Sequence, residues 1–282
     1  MPHIPLLTLT TDFGTSDGYV GTMKGVILTI LPVAQVVDIS HHIAPQDVRQ
    51  AAYVLYTAYP FFPSHAVHLV VVDPGVGSAR RPIAVQTPRG SFVGPDNGVF
   101  SYVMACEPVE ALVELTAPHY RMARVSSTFH GRDVFAPAAA HVAAGISVAD
   151  LGPPVTDPVG LPLPRLEIGT GGIVGEVLHV DRFGNVVSSI GRLEWSGTGD
   201  DLVLTPAWQK LGPRTRFRAA ATRVVVGRQS IDGVCRAYAE AERDRVLAVV
   251  GSTGHLEIAV REGNAARQLE LSPGDPVVVQ WV

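Results

Sequence analysis

The first 150 residues alternate between short apolar runs and segments in which apolar side chains recur at helical spacing. The alternation predicts an α/β fold, with a mixed or parallel sheet and helices on both faces. One predicted helix starts at Pro45, has Asp47 in its first turn and stops at Pro60, and another is the alanine-rich segment Asp133–Gly145. The predicted strands are Leu6–Thr10, Val33–Ile39, Ala66–Val72, Ile83–Gln86, Phe92–Val93 and Ala111–Leu115.

The pattern changes after residue 150. Gly152–Gly172 is rich in proline and glycine and has no clear period, which favours a linker. Short alternating segments separated by glycines follow it and predict a small antiparallel β-barrel. These segments are Gly175–Val180, Asn185–Ile190, Thr222–Val226, Val246–Val250, Leu256–Val260 and Pro276–Trp281. The predicted organisation is an N-terminal α/β domain over 1–160, a linker over 161–172 and a C-terminal barrel domain over 173–282.

Composition narrows the class of protein. The chain has 282 residues, 46% of them hydrophobic and 17% charged, and a net charge of −4. This balance lacks the basic field expected of a nucleic-acid-binding protein and the polybasic signal of a membrane-binding one. No apolar run approaches the roughly 18 residues of a membrane span, and the N-terminal segment lacks signal-peptide features. We therefore expect a cytoplasmic protein with no nucleic-acid or membrane partner.

Acidic side chains stand where two predicted strands end. Asp12 and Asp73 each close a buried strand, and ligands of open α/β sheets bind outside the carboxyl ends of strands. Aspartate is also typical of turns, so the alternative interpretation of each is a turn residue. The segment from Asp73 to Gly77 has two glycines that permit a tight backbone, and Arg80 can fold back toward Asp73. This segment matches neither the dinucleotide nor the Walker phosphate pattern, and the alternative interpretation is a structural ion pair under a loop.

Histidines and two polar loops add further candidates. The loops are Asp181–Asn185, which is also interpreted as an ordinary turn between two strands, and Gly251–Ile258, which leads into a strand. His130 directly precedes the alanine-rich helix and is interpreted either as catalytic or as structural. His41 and His42 are adjacent in an extended segment, where neighbouring side chains point to opposite faces, so we predict no metal site there. The two cysteines, Cys106 and Cys235, are far apart and predict neither a disulfide framework nor a zinc site.

In combination these segments resemble the S-adenosylmethionine (SAM) hydroxide adenosyltransferase family, which is related to the SAM-dependent fluorinase and chlorinase. The matching segments follow the family's order and span nearly the whole chain. They are Thr10–Gly14, Asp17–Gly25, Val72–Gly77 with Arg80, Val93–Gly98, Phe129–Phe135, Asp181–Asn185 and Leu256–Ala259. One difference is His255, where the family more often has an aromatic residue.

The resemblance implies an N-terminal α/β domain, a C-terminal β-barrel and a homotrimer with active sites between subunits. It implies that Asp73, Arg80 and His130 form a triad that activates water. It also implies substrate-binding roles, which are Asp12 for the ribose hydroxyls, Asp181 for the methionine ammonium, Asn185 for the adenine, Ser252 for the methionine carboxylate, and further contacts from Phe13, Phe183, Glu257 and the main chain near Val260.

The function implied is hydrolysis of SAM to adenosine and methionine by attack of water or hydroxide at the ribose C5′. SAM is then the substrate, and neither a cofactor nor a metal is expected. A carboxylate such as Asp73 would repel a halide, and the extra fluorinase loop after Tyr102 is missing. Both features favour water as the nucleophile. The alternatives are a SAM-dependent, chlorinase-like halogenase and a non-catalytic sensor of SAM or adenosine.

Overall fold

The computed structural model describes residues 4–208 and 214–281. Residues 1–3, at the start of the segment on which the signal-peptide prediction rests, lie outside the described residues. The chain divides into two compact units, Met1–Pro162 and Leu163–Val282. Within the described ranges, no helix combines the length and the apolar character that crossing a membrane requires.

A six-stranded mixed sheet forms the centre of the first unit. The strands are β1 Leu6–Thr11, β2 Gln35–Ser40, β3 Val67–Val71, β4 Pro82–Thr87, β5 Gly90–Pro95 and β6 Ala111–Glu114. Their order across the sheet is β2-β1-β3-β5-β4-β6. The pairs β1–β2, β1–β3 and β3–β5 are parallel, whereas β4 is antiparallel to both β5 and β6. The predicted mixed sheet is therefore confirmed.

The strand order creates a binding position between β1 and β3. The chain leaves β1 for β2 on one side and then crosses back to β3 on the other side of β1. A crevice opens at such a switch in direction, outside the carboxyl ends of the two strands. Asp12 directly follows β1 and Asp73 follows β3, so both acidic residues lie at this edge.

Helices cover both faces of the sheet, as predicted. They are α1 Tyr19–Ile30, α2 Val48–Ala58, α3 Ser101–Cys106 and α4 Ala136–Ala143. Helices α1 and α4 pack against each other, and α2 packs against α3. On the face of the sheet that α1 and α4 cover, one apolar cluster contains Leu7, Leu9, Met23 and Ile27 together with residues of β3 and α4. The burial of apolar surface in such a cluster is the main stabilising contribution to the unit.

Two predicted helix starts are wrong by a few residues. Helix α2 begins at Val48 rather than Pro45, because the Asp47 side chain caps it by accepting a hydrogen bond from the Gln50 N–H at 2.8 Å. The alanine-rich helix begins earlier than Asp133, with a π-helical turn over Gly131–Phe135 that continues into α4. This π-turn carries His130 at its N-terminal end, and π-turns are frequent at functional sites.

The second unit contains a nearly closed antiparallel barrel, as predicted. The elements are β7 Leu166–Gly169, β8 Gly172–Val180, β9 Val186–Ser188, β10 Leu193–Trp195, β11 Asp201–Leu204, β12 Thr215–Arg218, β13 Thr222–Val226, β14 Gln229–Asp232, β15 Val246–Val250, β16 Leu256–Val260, α5 Ala265–Leu269 and β17 Pro276–Trp281. The strand order of the barrel is β14-β13-β17-β8-β9-β16-β15, with β7 added beside β8, and β10-β11-β12 form a separate sheet. Strand β7 lies inside the segment predicted as a linker.

Candidate functional site

A cavity of about 410 Å³ lies at the carboxyl ends of β1 and β3. Its walls come from the loops after these two strands and from the segment that leads into the π-turn. The lining residues are Asp12, Phe13, Tyr19, Gln46, Val71, Asp73, Pro74, Val76, Thr128, Phe129, His130 and Gly131. The volume lies within the usual range for a small-molecule site.

Asp73, Arg80 and His130 converge at this cavity, although they are up to 57 residues apart in the chain. The Arg80 Nε–H donates to Asp73 Oδ1 at 2.9 Å, and Arg80 Nη2 contacts Asp73 Oδ2. Arg80 Nη2 also lies 3.0 Å from His130 Nδ1. The Asp73 and Arg80 side chains are only 5% and 7% exposed, so their charges offset each other away from solvent. Arg80 lies behind the cavity wall that Asp73 and His130 form.

The contact with Arg80 determines the protonation of His130. A guanidinium has only donors, so Nδ1 of His130 must accept, and the proton of the neutral ring is on Nε2. Among the described residues Nε2 has no hydrogen-bond partner. Burial lowers the pKa of His130, and the positive charge of Arg80 lowers it further, while Asp73 opposes this shift. His130 is therefore a neutral hydrogen-bond donor near pH 7.

It is Arg80 that meets Asp73, as the spacing predicts, and the adjacent Arg81 has a different role. Arg81 Nε donates to Asp96 at 2.8 Å and Arg81 Nη1 to Asp157 at 2.7 Å. These contacts fasten the segment after α4 to the sheet and lie outside the cavity. The two arginines thus separate into one that serves the cavity and one that serves the fold.

The other end of the cavity is built around Asp12 and an aromatic cluster. The Asp12 Oδ2 accepts a hydrogen bond from the Gln46 N–H at 2.8 Å. Phe13, Tyr19 and Phe129 pack with ring centroids 5.2 to 5.9 Å apart. A carboxylate beside an apolar aromatic wall suits a nucleoside, because a sugar offers hydroxyl donors and a base offers a flat apolar face.

Sequence reasoning missed several residues of this wall. Tyr19, Gln46, Thr128 and Phe129 line the cavity but are not among the predicted site residues. Tyr19 and Phe129 lie inside segments that resemble the family, and their place in these segments could have identified them as candidate site residues. No feature of the sequence identifies Gln46, because it contributes only its backbone N–H to the site and has an unusual φ of 68°.

The remaining candidates belong to the second unit, and the structure brings three of them together in one turn. Asp181 Oδ1 accepts from the backbone N–H of Phe183 and of Asn185, and Asp181 Oδ2 accepts from Asn185 Nδ2 at 3.0 Å. Phe183 is 77% exposed between them. Asp181 therefore forms a turn, in agreement with the turn interpretation. The turn leaves the Phe183 ring exposed, so the ring can pack on a ligand.

Glu257 is buried on β16 and lies near Asp181. Burial raises the pKa of Glu257, and Asp181 raises it further, although the hydrogen bond that Tyr238 donates at 2.7 Å opposes the shift. Ser252 is exposed in the loop before β16. The Val260 side chain is buried in the barrel core, so a ligand can meet Val260 only through its main chain. His255 is also buried, with Nδ1 2.8 Å from the Ser188 carbonyl oxygen.

Comparison with known proteins agrees with the fold of both units. Residues 7–152 match the family model of the SAM hydroxide adenosyltransferase N-terminal domain, and residues 175–278 match that of the C-terminal domain. The chain belongs to the SAM hydroxide adenosyltransferase family. It is 40% identical over 282 residues, 99% of each chain, to the (R)-S-adenosyl-L-methionine hydrolase of Salinispora arenicola.

Two further comparisons place this protein within the family. The crystal structure of an uncharacterized conserved protein from Thermotoga maritima is 35% identical, with a TM-score of 0.83 over 97% of this chain and 99% of that one. A fluorinase from Actinoplanes sp. is 26% identical, over an alignment that covers 69% of this chain and 75% of the fluorinase. Likeness to the hydrolase is therefore both higher and more complete than likeness to this fluorinase.

No group of three or more His, Cys, Asp or Glu side chains is arranged to hold a metal ion in the described part of the chain. His41 is buried and its neighbour His42 is exposed, as the extended segment predicts.

Proposed function

We propose that this protein hydrolyses SAM to adenosine and L-methionine. SAM is the substrate and no cofactor takes part. The observation that carries the proposal is the contact of Asp73, Arg80 and His130 beside a cavity of nucleoside size. Full-length likeness to a protein named as an (R)-SAM hydrolase supports it, and the name of that relative favours the (R) epimer at sulfur as the substrate.

The hydrogen bonds support different roles for the three side chains. Each Asp73 oxygen accepts from Arg80 and keeps a second lone pair, so Asp73 accepts a hydrogen bond from a water molecule. The Nε2–H of His130 donates to the oxygen of the same molecule. A base role for His130 would require a proton on Nδ1, where it would face the N–H of Arg80. Asp73 is therefore the group that takes the proton, and His130 orients the oxygen.

The reaction is then a displacement in which all charges are accounted for. The water oxygen bonds to C5′ while the C5′–S bond breaks, and its electron pair goes to sulfur, which leaves as neutral methionine. The water proton passes toward Asp73, and adenosine gains the hydroxyl group. No acid is needed for the leaving group, so catalysis rests on placing and polarising the nucleophile.

Product analysis tests this proposal against its alternatives. The purified protein is incubated with separated (R) and (S) epimers of SAM, with and without chloride, in water enriched in ¹⁸O. Adenosine that carries one ¹⁸O at its 5′ oxygen, formed in equal amounts with methionine, is expected from the (R) epimer. Chlorinated deoxyadenosine as the main product would show that the protein is a halogenase, and binding of SAM without turnover would show that it is a sensor.

Replacing Asp12 by Ala is expected to weaken adenosine binding about 10- to 100-fold, because a charged acceptor for the ribose hydroxyls is lost. The turnover of bound substrate should change much less, since Asp12 does not contact the triad. Isothermal titration with adenosine measures the affinity, and saturating SAM isolates kcat. An unchanged affinity would contradict the role of Asp12.

The turnover rate is expected to depend on pH through His130. Its pKa lies below the ordinary value of about 6.5 because of burial and Arg80, so the ring is neutral and active at pH 7. Protonation at lower pH puts a proton on Nδ1, where it faces Arg80. The kcat should therefore be flat around pH 7 and then fall by about tenfold per pH unit below the lowered pKa. The pH profile of a folded His130→Gln variant should lack this inflection, and a profile identical to wild type would refute the assignment.

The methionine end of the substrate is proposed to bind residues of the second unit. Asp181 would pair with the ammonium, Ser252 with the carboxylate, and Asn185 would contact the adenine, with Phe183, Glu257 and the Val260 main chain nearby. A homotrimer with sites between subunits, and a cytoplasmic location, complete the proposal. Sedimentation analysis of the protein with and without adenosine tests the assembly.

A further inference from the structure

A chain of polar side chains lies beneath the Asp12 end of the cavity, and the proposed chemistry does not use it. At its centre is His41, which is 5% exposed and directly follows β2. His41 Nδ1 is 2.9 Å from the Thr11 hydroxyl oxygen, and His41 Nε2 is 3.0 Å from Asp38 Oδ1. The second Asp38 oxygen accepts from Lys24 Nζ at 2.6 Å. The chain thus runs from a partly exposed lysine to a fully buried hydroxyl.

The donors and acceptors along this chain are consistent with a single arrangement. A carboxylate only accepts, so the nitrogen of His41 that faces Asp38 carries a proton. The contact is at ion-pair distance, although it departs from the line of an ideal hydrogen bond. The Thr11 oxygen accepts from the Phe13 N–H at 3.3 Å, and its own proton is then available for His41 Nδ1. The three groups therefore form a polar relay, with an ion-pair contact at Asp38 and a hydrogen bond at Thr11, that ends at the loop after β1.

His41 also contacts the far end of the same loop through its backbone. The His41 carbonyl oxygen accepts from the Gly14 N–H at 2.7 Å. Gly14 has a φ of +64°, a conformation that favours glycine, so the loop turns sharply at this contact. One residue thus holds both ends of a four-residue loop. The two residues in its middle are Asp12 and Phe13, which line the cavity.

We propose that His41, supported by Asp38, is a positioning residue that fixes the Thr11–Gly14 loop and thereby sets the affinity of the cavity for the nucleoside. This inference rests on the proposed function for the identity of the ligand. The argument is geometric: Asp12 is anchored by Gln46 on one side, and the backbone that carries it is anchored by His41 on both flanks. A carboxylate binds sugar hydroxyls well only if its position is fixed before the ligand arrives.

Variants of His41 separate positioning from folding. In His41→Asn the amide can replace Nδ1 and keep the contact with Thr11, whereas His41→Ala keeps neither ring contact. Thr11→Val removes the hydroxyl at the same shape. We expect His41→Ala and Thr11→Val to raise both KM for SAM and the adenosine dissociation constant about tenfold, the effect of one lost hydrogen bond. The kcat should change by less than about threefold, and His41→Asn should recover most of the affinity.

The neighbouring His42→Ala is the matched control, because His42 is exposed in the same segment. It should leave KM and the dissociation constant unchanged. Thermal unfolding identifies variants that are merely less stable, and if His41→Ala does not fold, Thr11→Val and His41→Asn decide the question. Wild-type affinity in a folded Thr11→Val, or equal loss in His41→Asn and His41→Ala, would overturn the proposal. Failure of the wild-type protein to release adenosine would instead refute the hydrolase function, while the adenosine affinities still test the positioning role.

Discussion

Replacing Asp73 by Asn is expected to lower kcat by about 10²- to 10³-fold while adenosine affinity stays within about twofold. The amide has nearly the shape of the carboxylate but lacks its charge and has only one acceptor atom. Arg80 presents donors to both oxygens of Asp73, so one of them would meet an N–H group of Asn. The variant therefore loses the proton acceptor and also disturbs the guanidinium that holds His130.

The measurement needs a control for the loss of an aspartate–arginine contact in itself. Asp157 pairs with Arg81 Nη1 at 2.7 Å and is 80% exposed, well away from the cavity wall. Asp157→Asn should leave kcat unchanged, because exposed ion pairs contribute little. Since Asp73→Asn also leaves a buried guanidinium without its partner, its unfolding free energy should fall, and turnover must be measured below its melting temperature. Wild-type kcat in the folded variant would remove Asp73 from the chemistry.

The elements that end at the cavity are predictable from sequence, and the helices between them are less so. The strand before Asp12 alternates leucine with threonine, and the strand before Asp73 is apolar except for His68. Both patterns leave few alternatives to a buried strand. Helix α1 is not predicted, although Val20, Met23 and Ile27 are its buried residues at helical spacing. Gly21 and Gly25 within it lower the helix propensity, and no side chain caps its start. Packing against α4 stabilises this helix, and the sequence of α1 alone does not reveal that contact.

The cavity shows the same division between local and distant information. Asp73, Arg80 and His130 are found because each lies in a recognisable segment, and the structure supplies their mutual contact. The relay of Asp38, His41 and Thr11 is not predicted, because it depends on how β2 aligns with β1. The alignment shifts between Leu9 and Thr10, so a regular parallel register would have placed the partners differently. Residue types alone therefore reveal candidate chemistry but not the contacts that support it.

Gly77→Ala is expected to lower kcat by about 10- to 100-fold, although Gly77 contacts no proposed substrate atom. Gly77 has a φ of +75°, and a Cβ at this position would lie 2.3 Å from the Ser127 carbonyl oxygen. Either the Asp73 loop or the segment before His130 must therefore move. Both carry triad residues, so a shift of about 1 Å would open the contact between Arg80 and His130.

Gly75→Ala in the same loop is the matched control for this change. A Cβ on Gly75 would meet its nearest neighbours, in Ser78 and Arg80, at 3.4 to 3.6 Å, which is ordinary van der Waals contact. Its kcat should stay within about threefold of wild type, since nothing has to move. Equal loss in both variants would show that the loop tolerates no side chain at all, and wild-type kcat in Gly77→Ala would show that the triad does not depend on how these two loops meet. A loss confined to Gly77→Ala would tie the rate to the packing of Gly77 on the Ser127 carbonyl group, because that contact fixes the distance between the Asp73 carboxylate and the His130 imidazole, which are proposed to bind the same water molecule.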